Sequence, residues 1–97
     1  MLELLKLTIR CKIQLIDEIV TKMLPSFSNK HLVYLATSIG RFVVYDSRST
    51  SSEMLLSEYL HCSGIIDFVV SEKEDFVFTS SIDRTVNMIK LDKLLLI

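Results

Sequence analysis

The chain has 97 residues with 11 Lys+Arg against 12 Asp+Glu, a formal net charge of −1, so it lacks the basic footprint that nucleic-acid-binding domains carry. With 49% hydrophobic residues, 2 Gly and 1 Pro it is too apolar for a disordered segment and supplies the core of one small domain at most. Its 2 Cys, Cys11 and Cys62, form one bridge at most, which excludes a secreted disulfide framework and points to a reducing intracellular setting, cytoplasmic or nuclear.

In chain order, the first predicted element is Leu5 to Leu15, where Leu5, Leu7, Ile9, Cys11, Ile13 and Leu15 alternate with polar residues in the period-two pattern of a half-buried strand. The charges Glu3, Lys6, Arg10 and Lys12 leave no signal-peptide core in this stretch. Leu24 to Lys30, with Pro25 and small polar residues, predicts a bend. His31 to Thr37 and Arg41 to Asp46 then read as a hairpin closed by Ser38-Ile39-Gly40. After the polar loop Ser47 to Ser52, Glu53 to Leu60 fits either a strand or a helical turn. Ile65 to Val70, Phe76 to Ser81 and Thr85 to Leu91 are three further strands, so the pattern is that of an all-β domain. The longest uncharged stretch, His31 to Gly40, is about half of the roughly 20 residues a membrane-spanning helix needs, and no membrane span is expected. A mean hydropathy of +0.41 is nevertheless high for so short a chain and predicts that another chain covers part of its apolar surface.

The chain also repeats itself. A shift of 44 (89 − 45) lays Tyr45 on Ile89, Phe42 on Val86, Thr37 on Ser81 and Leu32-Val33-Tyr34 on Phe76-Val77-Phe78, with a one-residue adjustment between Asp17 and Lys30. The second copy, His61 to Lys90, resembles a WD repeat, the four-stranded blade of a β-propeller. His61 stands at the family's histidine and Ser71 at its turn serine. Thr79-Ser80-Ser81-Ile82-Asp83 matches the second strand with its turn aspartate, and Ile89-Lys90 falls on the tryptophan-aspartate pair. The first copy keeps Tyr45-Asp46 at that pair but has Ile39-Gly40 at the turn and no upstream histidine.

The resemblance implies a partial β-propeller of two four-stranded antiparallel blades, with residues 1–16 as a strand of a preceding blade, 17–60 as the first repeat and 61–97 as the second. By similarity His61, Thr79 or Ser81, and Asp83 form a hydrogen-bonded network inside the second blade, which Ile89 cannot extend as tryptophan would. The repeat places Phe42, Tyr45, Val86 and Ile89 in the blade cores. Similar proteins are non-catalytic scaffolds that bind other proteins through exposed loops, here Arg41, Arg84, Ser47 to Ser52 or Glu72 to Asp75. A ring needs about four blades or more, so the chain is expected to be a piece of a longer propeller, to self-assemble into a ring, or to complete a partner that lacks blades. The alternative is a small structural β subunit that contributes edge strands to a larger assembly.

Other chemistries find little support. His31, His61, Cys11 and Cys62 lack the close ligand spacing of zinc sites, so no metal is expected, and two glycines cannot build a phosphate loop, so no cofactor is expected. Cys62 beside His61 is poorly placed for nucleophilic catalysis, because neighbours on a strand point to opposite faces. The acidic groups Asp17-Glu18 and Glu72, Glu74 and Asp75 fall in predicted turns, where they read as solvated. Dispersed Arg41, Arg48, Arg84, Lys90 and Lys93 read as a solvated rim rather than a nucleic-acid face.

Overall fold

The computed structural model describes residues 13–48 and 54–91 and is all-β, with no helix among them. Its strands are β1 (Val20–Pro25), β2 (Leu32–Thr37), β3 (Arg41–Asp46), β4 (Met54–Tyr59), β5 (Ile65–Val70), β6 (Phe76–Ser81) and β7 (Val86–Lys90). Two antiparallel sheets result, one ordered β1-β2-β3-β4 and one β5-β6-β7. The expected second sheet of four strands therefore has three among the described residues.

Local chemistry accounts for most of these elements. The β2–β3 hairpin turns at Gly40, whose φ of 88° suits glycine, and the β6–β7 turn places Arg84 at a φ of 71° in the matching position. Residues 54–59 form a strand rather than a helical turn because the free edge of β3 gives them a ladder, with Phe42 opposite Glu58 and Val44 opposite Leu56. Sequence alone gave no strand at Val20–Pro25 and placed the bend from Leu24. In the structure β1 continues to Pro25, which an edge strand tolerates because its missing N–H faces no further strand among the described residues. Most of the predicted strand Leu5 to Leu15 lies outside the described residues. Its end, Ile13 to Leu15, belongs to no strand, yet Ile13 and Leu15 still pack on the buried side chains Leu35, Val43 and Tyr45.

Strands β5, β6 and β7 repeat β1, β2 and β3 in order and pairing. Val20 opposite Thr37 corresponds to Ile65 opposite Ser81, and each pair is followed by an irregularity before Lys22–Ala36 and Asp67–Ser80. Tyr34 opposite Val44 corresponds to Phe78 opposite Met88. The shift is 45 (65 − 20) for β1 on β5 and 44 (81 − 37) for β2 on β6. Loop hydrogen bonds recur too, for Ser38 N–H donates to the Ile19 carbonyl as Ile82 N–H does to that of Gly64.

The main core lies between the sheets. One face of β1–β4 contributes Leu32, Tyr34, Ala36, Phe42 and Val44, and the facing side of β5–β7 contributes Ile65, Phe68, Val70 and Val77, with Ile89 packed against them. Phe42 sits at the centre, stacked on Tyr34 at 6.1 Å between centroids and edge-on to Phe68 at 5.4 Å. Tyr45 faces the opposite side of its sheet, with Leu35 and Val43. Of the four residues expected in blade cores, Val86 departs: it is 71% exposed. Its counterpart Phe42 is covered by the second sheet, and among the described residues no sheet covers that same face of β5–β7.

Gly40 also meets the joint between the sheets. A Cβ there would lie 2.2 Å from the His61 carbonyl oxygen and 2.7 Å from that of Ser63. Gly40→Ala is expected to lower unfolding stability by more than about 1 kcal/mol, since both φ and space oppose it; urea denaturation checks this.

Candidate functional site

The polar centre of the molecule is the connection from β4 to β5, residues 60–64. Asp83 organises it from the β6–β7 turn, where its Oδ1 accepts from the Thr85 amide at 2.9 Å and from the Thr85 hydroxyl, an Asx-type turn. Its Oδ2 accepts from the Cys62 amide at 3.0 Å and lies 3.2 Å from His61 Nδ1. His61 Nδ1 is also 2.9 Å from Thr85 Oγ1, and Nε2 is 2.7 Å from Thr79 Oγ1. The network orients the ring: a carboxylate only accepts, so Nδ1 carries a proton toward Asp83, and Nε2 pairs with the Thr79 hydroxyl. Ser81 makes no hydrogen bond to the imidazole. Its hydroxyl donates to the carbonyls of Ser63 and Gly64 at 3.1 and 2.9 Å and accepts from the Asp83 amide at 3.2 Å.

Asn87 Nδ2 donates to the Leu60 carbonyl, while the amides of Leu60 and His61 donate to the Gly40 carbonyl at 2.9 and 3.3 Å. The connection is thereby held to both sheets. The hydroxyl of Thr85 and the amides of Cys62 and Thr85 hold the Asp83 carboxyl below the usual carboxylate range, with His61 adding to the effect. His61→Ala is expected to cost about 2 kcal/mol, because Thr79, 1% exposed, loses its partner. Asp83→Ala is expected to destabilise as well, and thermal denaturation followed by circular dichroism reads both.

Threonine, histidine and aspartate in this order outwardly match a nucleophile, base and orienting acid. Here the imidazole side chain is fully shielded and Thr79 is buried, beneath a hollow lined by Leu60, His61, Cys62, Asp83 and Thr85. Cys62 is exposed, and it enters the network through its backbone amide. No cluster of three or more His, Cys, Asp or Glu suited to a metal occurs among the described residues.

Three charged residues expected in solvent, Arg41, Glu18 and Glu74, are withdrawn from it. Arg41, the counterpart of Thr85, forks onto Glu18 with Nε to Oε1 at 3.0 Å and Nη2 to Oε2 at 2.8 Å, and their side chains are 12% and 5% exposed. The first unit thus uses a bidentate ion pair where the second uses the histidine network. Glu74, in the β5–β6 turn, is fully buried against the first sheet. Its oxygens accept from Ser26 Oγ at 2.6 Å, Ser28 N–H at 3.1 Å, Ser28 Oγ at 2.7 Å, Tyr34 Oη at 3.2 Å and the Phe27 amide. Burial alone would raise its pKa, but the Ser26 and Ser28 hydroxyls and the Phe27 and Ser28 amides outweigh that and hold it below the ordinary value. Burial and the facing carboxylate push the Tyr34 phenol up to about 12. Lys22 crosses the same interface, bonding Asp67 and the Phe68 carbonyl at 2.9 Å, with its ammonium 5.2 Å from the Phe68 ring centroid.

Comparison with protein-family models, with curated proteins and with solved structures finds no match to this chain. It is an all-β protein of two stacked antiparallel sheets whose polar centre joins those sheets.

Proposed function

We propose that the chain is a non-catalytic protein-binding scaffold, made of two units similar to WD repeats that stand as adjacent blades of a partial β-propeller. One observation carries the reading: the uncovered face of the second sheet repeats, position for position, the face that the first sheet buries. The row Val69–Phe78–Met88 is the counterpart of Leu24–Tyr34–Val44, and these three side chains are 60%, 42% and 61% exposed. Such an apolar face, with Val86 beside it, is suited to covering by another polypeptide. The dispersed charge and a net charge of −1 favour a protein partner over nucleic acid. The shielded histidine favours a structural role for the polar network.

A second reading, a structural subunit that lends edge strands, draws on β7. Its counterpart β3 is paired on both sides, whereas β7 pairs only with β6 among the described residues.

A photo-cross-linking residue at Met88, used in extract of the protein's own cells, distinguishes these readings. The scaffold reading expects an adduct with a distinct polypeptide that Val69→Glu abolishes without loss of stability. Adducts confined to a probe at the β7 edge favour the subunit reading, and no adduct at either place contradicts both.

A further inference from the structure

The loop after β1 and the side chain of Tyr34 form a pocket for one chemical group. Two backbone amides, of Phe27 and Ser28, and three hydroxyls, of Ser26, Ser28 and Tyr34, converge on the Glu74 carboxylate. Every donor belongs to the first sheet and the acceptor to the second. No lysine or arginine pairs with Glu74 among the described residues, so the site reads the two oxygens of a carboxylate through hydrogen bonds rather than through a counter-charge. Glu74 reaches the site from a φ of 55°, a conformation uncommon outside glycine and asparagine. We infer that Ser26 to Ser28 and Tyr34 form a carboxylate-recognition cup that selects which sheet stacks on β1–β4, by requiring an acidic side chain on a turn of the incoming sheet.

The repeat supplies a control within the molecule. In the second sheet Tyr34 is replaced by Phe78, which has no hydroxyl, and the hydroxyl of Ser71, the counterpart of Ser26, donates instead to Asp75 at 2.7 Å. Lys22, which bridges to Asp67, is itself replaced there by Asp67. The outer face of β5–β7 therefore has no receptor for a Glu74-bearing sheet and sets acid against acid at the Lys22 position. A further β5–β7 sheet does not stack on that face in the same register. The cup itself stands on its own geometry, independent of the propeller reading.

Chemical rescue tests the cup. Glu74→Ala empties it, and sodium formate supplies a free carboxylate. The melting temperature of Glu74→Ala at pH 7 is expected to rise saturably by about 5 °C in formate relative to chloride at equal ionic strength. The parent protein shows no such difference, and adding Tyr34→Phe weakens half-saturation several-fold. An absent formate-specific rise, or an equal rise in the parent, overturns the cup. Should Glu74→Ala be unfolded in chloride, the same titration follows recovery of the β signal. Tyr34→Phe alone gives an independent reading, since loss of that donor moves the Glu74 carboxyl titration, seen by NMR, to higher pH, and an unmoved titration contradicts the inference.

Discussion

Phe42→Ala is expected to lower the unfolding free energy by about 3–5 kcal/mol, the largest effect of any single truncation considered. The phenyl ring is fully buried between the sheets, stacked on Tyr34 and edge-on to Phe68, so its removal leaves a cavity bounded by both sheets. For a domain whose total stability is about 5–15 kcal/mol, that loss leaves little reserve. Urea denaturation reads it as a lower midpoint. Val86→Ala supplies the contrast, for the same repeat position in the second sheet is exposed and its loss is expected to stay within about 0.5 kcal/mol.

Glu74→Gln is expected to cost about 3 kcal/mol at pH 7. The amide side chain keeps the shape but presents an NH₂ group to a site built only of donors, and at least one buried donor is left without an acceptor. The pH dependence has a defined sign. A carboxyl whose folded pKa lies below its ordinary value of 4.5 binds fewer protons when folded, so its stabilisation is complete above that value and is lost as pH falls through the depressed one. Asp83 and Asp67 act in the same sense, as does Asp46, held at about 2 by Arg48. Acid is therefore expected to destabilise the protein progressively below about pH 4.5, with a shallower dependence in Glu74→Gln. An unchanged acid profile would place the titrating groups elsewhere.

The strands β2, β3, β5, β6 and β7 were legible because β-branched and aromatic runs lie between turn residues, and Gly40 marks its turn unambiguously. Val20–Pro25 was not, because Lys22 and Pro25 break the apolar pattern; only the ladder with β2, which sets Lys22 opposite Ala36 and Pro25 opposite Val33, makes a strand of it. The repeat also put Val86 in a core, since a buried face and an exposed face that repeats it look alike in sequence. Asp83 and His61 stood out through their resemblance to a known repeat. Glu74 and Glu18 did not, as an acidic residue in a turn gives no sign of the loop or arginine that folding brings to it. Their partners lie 40 and 23 positions away at Tyr34 and Arg41, and no local pattern encodes such a distance.

The central claim is that two repeated sheets stack through one aromatic core and one carboxylate lock. Nuclear Overhauser contacts in solution test it most directly. The account predicts cross-peaks between the Phe42 and Phe68 rings and between the Tyr34 ring and the Glu74 methylenes, alongside the strand contacts within each sheet. Complete strand contacts within both sheets without either cross-peak would contradict it.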